Sequence, residues 1–341
     1  MSPFIDACFG REVEYTPTWF MRQAGRYLPS YRKLKGNRSI LDVAKDPGLA
    51  STAACDAVRE LGVDAGIIFA DIMLPLEGMG VGFKIEENVG PVVSNPIRSA
   101  DGVAALGNFD AERDAGAVYD AIDETVRKLD GVPLIGFSGA PFTLAGYLIE
   151  GMPSRELGVT KSMMYTQPES WGELMTKLTK MVKDYLRGQV AHGVQAVQLF
   201  DSWVGCLSPE DYARYVLPYT KEIFDSVDQK VATIHFCASS SHLIEGFRET
   251  GARVLSVDWR VPIGSVWKRC EDSVSVQGNL DPSLAVAGGR RMDEGVTRIV
   301  EQAKQHRGHV FSLGHGVLKE TPPENLRAIV KTVRERTRVR N

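Results

Sequence analysis

Eight short apolar runs separated by helical patterns restrict what this 341-residue chain can become. They fall at residues 15–21, 65–70, 132–137, 196–200, 231–236, 253–257, 274–277 and 309–313. Most read as near-continuous apolar stretches, the pattern of parallel strands buried on both faces. Helix starts lie between them. Ser208-Pro209-Glu210-Asp211 supplies a cap, a proline at the first helical position and an acid three after the cap. Asp281-Pro282 and Thr321-Pro322 offer the same cap-plus-proline start. Leu174, Leu178, Met181 and Tyr185 recur at helical spacing, which is a core stripe. The long gap from Ile72 to Gly131 is predicted to hold a hairpin-like excursion over 81–93 and a helix over 111–129. Eight strand-then-helix units predict an α/β fold: one (β/α)8 TIM-type barrel domain over residues 1–341, with its active-site cleft at the C-terminal strand ends. A two-domain doubly wound sheet is the alternative.

Composition narrows the function classes. Forty Lys and Arg against 43 Asp and Glu leave a net charge of −3, which argues against a broad nucleic-acid-binding face. No apolar run approaches the roughly 18 residues of a membrane span, and the first residues lack the basic-then-apolar form of a signal peptide. Five scattered cysteines with no C-x-x-C pair favour free thiols in a reducing compartment, so a cytoplasmic protein is expected.

One segment departs from this even balance. Residues 15–41 carry Arg22, Arg26, Arg32, Lys33, Lys35 and Arg38 and no acid. A planar guanidinium suits carboxylate or phosphate, because it makes two parallel hydrogen bonds and keeps its charge. The segment is either a solvated basic loop or an anion site. The polar residues that follow the other runs weigh the choice: Asp71, then Ser138 to Thr143 and Tyr147, Asp201-Ser202-Trp203, Asp258-Trp259, Gly278 to Pro282, and Gly314-His315-Gly316. Taken singly, an Asp at a strand end is a common turn residue, and a Tyr or His there is often only a satisfied polar group. Around one mouth, two Arg, an Asp, a Tyr, a Ser and a His describe a site for a polyanion.

Met21-Arg22-Gln23-Ala24-Gly25-Arg26-Tyr27-Leu28-Pro29 resembles the signature of the uroporphyrinogen decarboxylase family of haem and tetrapyrrole biosynthesis. So do Gly136 to Thr143, Leu199-Phe200-Asp201-Ser202, Gln277 to Pro282 and Leu313-Gly314-His315-Gly316, in order along nearly the whole chain. The resemblance implies a homodimeric barrel lyase that removes CO2 from the four acetates of uroporphyrinogen III, giving coproporphyrinogen III with no metal or organic cofactor. By position, Arg22 and Arg26 bind substrate carboxylates, with backbone N–H groups of Gln23, Ala24 and Gly25 adding contacts. Asp71 takes the pyrrole N–H groups and stabilises a cation. Tyr147 and Ser202 hydrogen-bond a reacting acetate. His315 binds a carboxylate at the far side and, with an ordinary value near neutrality, is a possible proton donor, as is one of the arginines. Asp71, Arg22, Arg26, Tyr147 and His315 are thus the expected catalytic set. No nucleic acid or membrane partner is implied.

His235-Phe236-Cys237 departs from that family, which more often has Gly at the third place. His-x-Cys resembles the zinc motif of thiol or corrinoid methyltransferases of the same superfamily. Residues two apart on a strand share a face, so both can reach one ion. A third thiolate is missing near the eighth run, where Gly314-His315-Gly316 stands, and Cys270 precedes the seventh. Cys237 reads better as a small buried hydrophobe. A non-enzymatic porphyrin carrier is the remaining alternative. Asp71 argues against it, since a central carboxylate repels a polycarboxylate ligand.

Overall fold

The computed structural model of the protein describes residues 2–86 and 89–339. Its strands are β1 (Gly66–Ile67), β2 (Phe83–Glu86), β3 (Gly90–Val93), β4 (Leu134–Gly139), β5 (Ala196–Asp201), β6 (Ala232–Cys237), β7 (Val254–Ser256), β8 (Ser275–Leu280) and β9 (His309–Leu313). Seven of them form one parallel sheet in the order β1-β4-β5-β6-β7-β8-β9. β2 and β3 pair antiparallel as the hairpin expected in the long gap, and the helix Ala111–Leu129 follows it.

The first apolar run closes the sheet into a (β/α)8 barrel, but with less strand than expected. Only Thr18 forms a bridge, parallel to Phe311 of β9. Phe311 N–H donates to Pro17 O, and Trp19 N–H donates to Phe311 O. On the other side, Asp64 N–H donates to Thr18 O, while Thr18 N–H donates to the Asp64 carboxylate. A side chain therefore takes a rung that a strand backbone supplies elsewhere, and Pro17 has no N–H to extend the ladder.

The second run is also shortened. Ile68 N–H still donates to Ile135 O, but the chain then turns away towards the mouth. Phe137 of β4 is left facing no strand on that side. Gln189, from the long helix Pro168–Ala191, replaces the missing rung: its Oε1 accepts from Phe137 N–H at 2.8 Å and its Nε2 donates to Phe137 O at 2.9 Å. Gly136 has no Cβ because that amide oxygen occupies the space.

The register assigns the two faces of each strand. Gln198 of β5 pairs with Ile234 of β6, and Phe200 with Phe236. Gln198 faces inward, where it accepts from Gln277 Nε2; Gln277 Nε2 also donates to Ser256 Oγ, and its Oε1 accepts from Trp19 Nε1. This polar layer fills the barrel interior, so the barrel is a packed core. One turn higher, Phe137, Phe200 and Phe236 meet edge to face at 5.4 and 5.6 Å and floor the mouth.

The helix starts follow the capping logic. Ser208 accepts from Asp211 N–H, and Asp281 from Ser283 N–H. The third expected start is shifted: the last helix is Pro323–Thr337, capped at Pro322 without a side-chain bond, so Thr321 does not serve.

Gln189→Ala should leave a buried N–H and a buried C=O unpaired at Phe137. We expect a loss of about 2–6 kcal/mol in unfolding free energy, measured by denaturant titration, since each of the two orphaned groups costs about 1–3 kcal/mol.

Candidate active site

The loop after the first run carries the basic segment to the mouth. Arg22 has a φ of +60°, a left-handed conformation that non-glycine residues rarely adopt. Its side chain lies against Gly316 of the loop after β9; a Cβ there would meet Arg22 Cδ at 2.5 Å. Glycine at 316 thus makes room for the arginine. Val317 N–H donates to Met21 O and ties the two loops together. Arg26 is exposed at the rim and acts electrostatically on Tyr31, whose ring packs on Phe69 just beyond β1. Arg32 donates to the carbonyls of Arg26 and Tyr27 and braces the turn.

Gln23 is a correction within this loop. Its side chain is buried and donates to Ala65 O, and its own N–H donates to Phe20 O. That N–H is committed to the turn. Ala24 and Gly25 are half-buried and lie between the two arginines.

Asp71 follows β1 and is half-buried. Its Oδ1 accepts from Met73 N–H at 2.8 Å. Burial pushes its pKa up; the Met73 N–H and the Arg22 charge act in the opposite direction. Tyr147 belongs to the helix Pro141–Glu150 and is buried with its ring edge-on to Trp203 at 5.9 Å. Burial, and then the Asp71 charge, raise its pKa, so the phenol keeps its proton and can donate. Arg22 acts on both groups, which places Arg22, Asp71 and Tyr147 in one field.

Ser202 is half-buried after β5. Its neighbours hold it there. Thr143, one helical turn before Tyr147, donates to Asp201 Oδ1 at 2.9 Å and accepts from Trp203 N–H at 3.4 Å. Asp201 therefore braces the loop from outside the barrel and does not line the mouth.

His315 sits edge-on to Phe236 at 5.7 Å. Its Nδ1 accepts from Gly316 N–H, so the ring proton is on Nε2. Burial and the Arg22 charge lower its pKa to about 4. The sequence expectation of titration near neutrality is thereby corrected: at pH 7 the ring is neutral, a hydrogen-bond donor through Nε2.

Two features escaped the sequence reading. The aromatic floor shows only once the register is known. Arg260, two residues beyond Asp258, stands close enough to act on His315. Its signal was present, since an arginine at a strand end was the very criterion applied to Arg22.

His235 and Cys237 do share a face, with Nε2 and Sγ 3.4 Å apart. It is the outer face. His235 packs edge-on to Phe224 and Phe247 of the surrounding helices, away from the mouth. Burial drives the Cys237 thiol well above its ordinary value, opposite to what a thiolate ligand needs. Among the described residues no group of three His, Cys, Asp or Glu is placed to hold a metal ion.

A (β/α)8 barrel with Arg22 acting on Asp71 at the mouth, and Arg26 exposed on the same loop, is a framework suited to an enzyme for a polyanionic substrate. The comparisons with known proteins specify which. A family model, uroporphyrinogen decarboxylase (URO-D), matches residues 1–336. A uroporphyrinogen decarboxylase from Carboxydothermus hydrogenoformans is 45% identical over 97% of this chain and 95% of its own. One from Thermobifida fusca is 45% identical over 98% and 93%. The chain belongs to the uroporphyrinogen decarboxylase family. Among solved structures, a methyltransferase from Methanosarcina mazei superposes with a TM-score of 0.77 over 97% of both chains at 18% identity, a likeness of fold alone.

His309 and His315 are both held neutral, with pKa values near 4. Below the unfolded value of about 6.5 the unfolded chain binds protons that the folded chain does not. Stability should therefore fall as pH drops from about 6.5 to 4, by up to about 1.4 kcal/mol per unit for each histidine. Denaturant titrations at pH 7, 6 and 5 measure the slope, and His309→Gln should flatten it.

Proposed function

We propose that the protein is a carboxy-lyase that converts uroporphyrinogen III to coproporphyrinogen III by removing CO2 from its four acetate arms. One observation supports this reading above the rest: Asp71, Arg22 and Tyr147 share one electrostatic field at the mouth of a barrel of this family. The substrate carries eight carboxylates, which explains a local excess of arginine in a chain of net charge −3.

Loss of CO2 leaves an electron pair that needs a sink, a task many enzymes give to a cofactor. A pyrrole can do it alone. Protonation of the ring α-carbon next to the carbon that bears the acetate makes a cation conjugated with that carbon. The carbon–carboxylate bond then breaks, and its electrons neutralise the ring. The exocyclic carbon takes up a proton to become methyl, and the ring carbon loses the one it gained. Each cycle consumes one proton and releases one CO2.

The residues divide this work. Arg22 and Arg26 seize and orient carboxylates, with Ala24 and Gly25 N–H groups as further donors. Asp71 accepts the pyrrole N–H groups and, ionised by them, stabilises the cation. Its charge acts strongly because the site is desolvated. Tyr147 and Ser202 hold the reacting acetate, and Thr143 and Asp201 hold Ser202. His315 donates through Nε2 to a carboxylate on the far side. No cofactor or metal enters these steps. The whole chain acts as one barrel domain. A homodimer in the cytoplasm completes the reading, and five free thiols fit a reducing compartment. Among the described residues no helix is long and apolar enough to cross a membrane.

Asp71→Asn should fold normally and bind substrate yet lose kcat by about a hundredfold or more, the usual cost of one preorganised electrostatic partner. Anaerobic turnover of the reduced tetrapyrrole measures it. Turnover near that of the wild type would remove Asp71 from its role.

A further inference from the structure

Across the mouth from Asp71 stands an arginine held in an unusual way. Counting Thr18 as the first of eight strand positions, Asp71 follows the second and Arg260 follows the sixth, β7. Positions four apart in a ring of eight are opposite. Asp258, at the same strand end, is only 3% exposed, whereas the Arg260 side chain is 49% exposed. A buried carboxylate needs donors, and Asp258 has three. Ser239 N–H and Arg260 Nη1 bond Oδ2, the latter at 2.6 Å, and Arg260 N–H bonds Oδ1 at 2.9 Å. The guanidinium also lies 4.2 Å from the centroid of the Trp259 ring. One face is stacked and one nitrogen is anchored, so the group is fixed while nearly half the side chain stays open.

The surroundings connect it to the mouth. Gly314 packs so closely on Asp258 and Trp259 that a Cβ would meet Trp259 N at 2.5 Å. The next residue, His315, touches the aromatic floor through Phe236. Asn279, at the end of β8, donates to the carbonyls of Asp258 and Val261 and fixes both ends of the Arg260 turn. A surface ion pair made only for stability has no use for this framework, since exposed pairs contribute little. A preorganised guanidinium with donors to spare suits a carboxylate.

We infer that Arg260 is a third carboxylate-binding arginine of the mouth, and that Asp258 is its positioning residue. This rests on the decarboxylase reading. A tetrapyrrole whose N–H groups centre on Asp71 radiates its carboxylate arms outward, and Arg260 takes an arm on the rim opposite Asp71. It binds and does not react, so its loss appears in KM.

The test uses the full-length protein, Arg260→Gln and Arg260→Lys. Each is assayed anaerobically with the eight-carboxylate substrate and with the five-carboxylate intermediate that retains one acetate. Wild-type turnover comes first: if the wild type releases no CO2, the underlying reading fails, independently of Arg260. Given that turnover, Arg260→Gln should raise KM about tenfold or more and leave kcat within about twofold, with Arg260→Lys between. The rise of KM with added salt should be shallower in Arg260→Gln, a change that a purely structural role would not produce. An equal rise for both substrates assigns the arm to a propionate; a rise for the first alone assigns it to an acetate. Unchanged KM for both substrates in both variants, or loss of kcat alone, overturns the inference.

Discussion

The carboxylate of Asp64 closes the barrel, and the active site depends on that closure. Its side chain is 8% exposed, and its oxygens accept from Thr18 N–H, Tyr15 OH and Arg334 Nη2. Its own N–H donates to Thr18 O. One residue thus joins the first segment to the second and to the last helix. Phe311 completes the ring from the other side. Four residues beyond Thr18 the chain reaches Arg22, which the closed ring lays over Gly316. Were the ring open here, the arginine loop and the Gly-His-Gly loop would not share a wall. Closure is therefore also the step that assembles the site.

The mouth that results sets two opposed demands against each other. A polycarboxylate must be attracted, and a cationic intermediate must be stabilised. On the proposed reading arginines at the rim answer the first demand, since their charge survives at any working pH. On the same proposed reading Asp71, on which the Arg22 charge acts, answers the second from within. Burial raises its pKa, and that cost is the counterpart of its strength: a carboxylate partly withdrawn from water is the better partner for a forming cation. Burial likewise keeps Tyr147 protonated and His315 neutral, so both are hydrogen-bond donors that add no charge to the field.

Much of this was legible in the sequence, because strands buried on both faces leave unbroken apolar runs. All eight runs hold a strand or bridge, and the residues that follow them supply Arg22, Asp71, Tyr147 and His315. Three kinds of fact were not legible. Side chains that replace backbone rungs, as Asp64 and Gln189 do, shorten strands without altering the apolar pattern. Register decides which of two adjacent polar residues faces in, so Asp201 and Ser202 looked alike until β5 was paired. The same register turned His235 and Cys237 outward, where a shared face has no route to substrate. Burial of a particular ring, as at His315, follows from packing that no local pattern encodes.

The central claim is that this mouth removes four carboxylates from one tetrapyrrole. An anaerobic time course with reduced uroporphyrinogen III, in the presence of a metal chelator, tests it most directly. Substrate and products are resolved by carboxylate number while released CO2 is measured. The account predicts species with seven, six, five and finally four carboxylates, and four CO2 per substrate. Activity abolished by the chelator, or methyl transfer to a thiol without CO2, would contradict it.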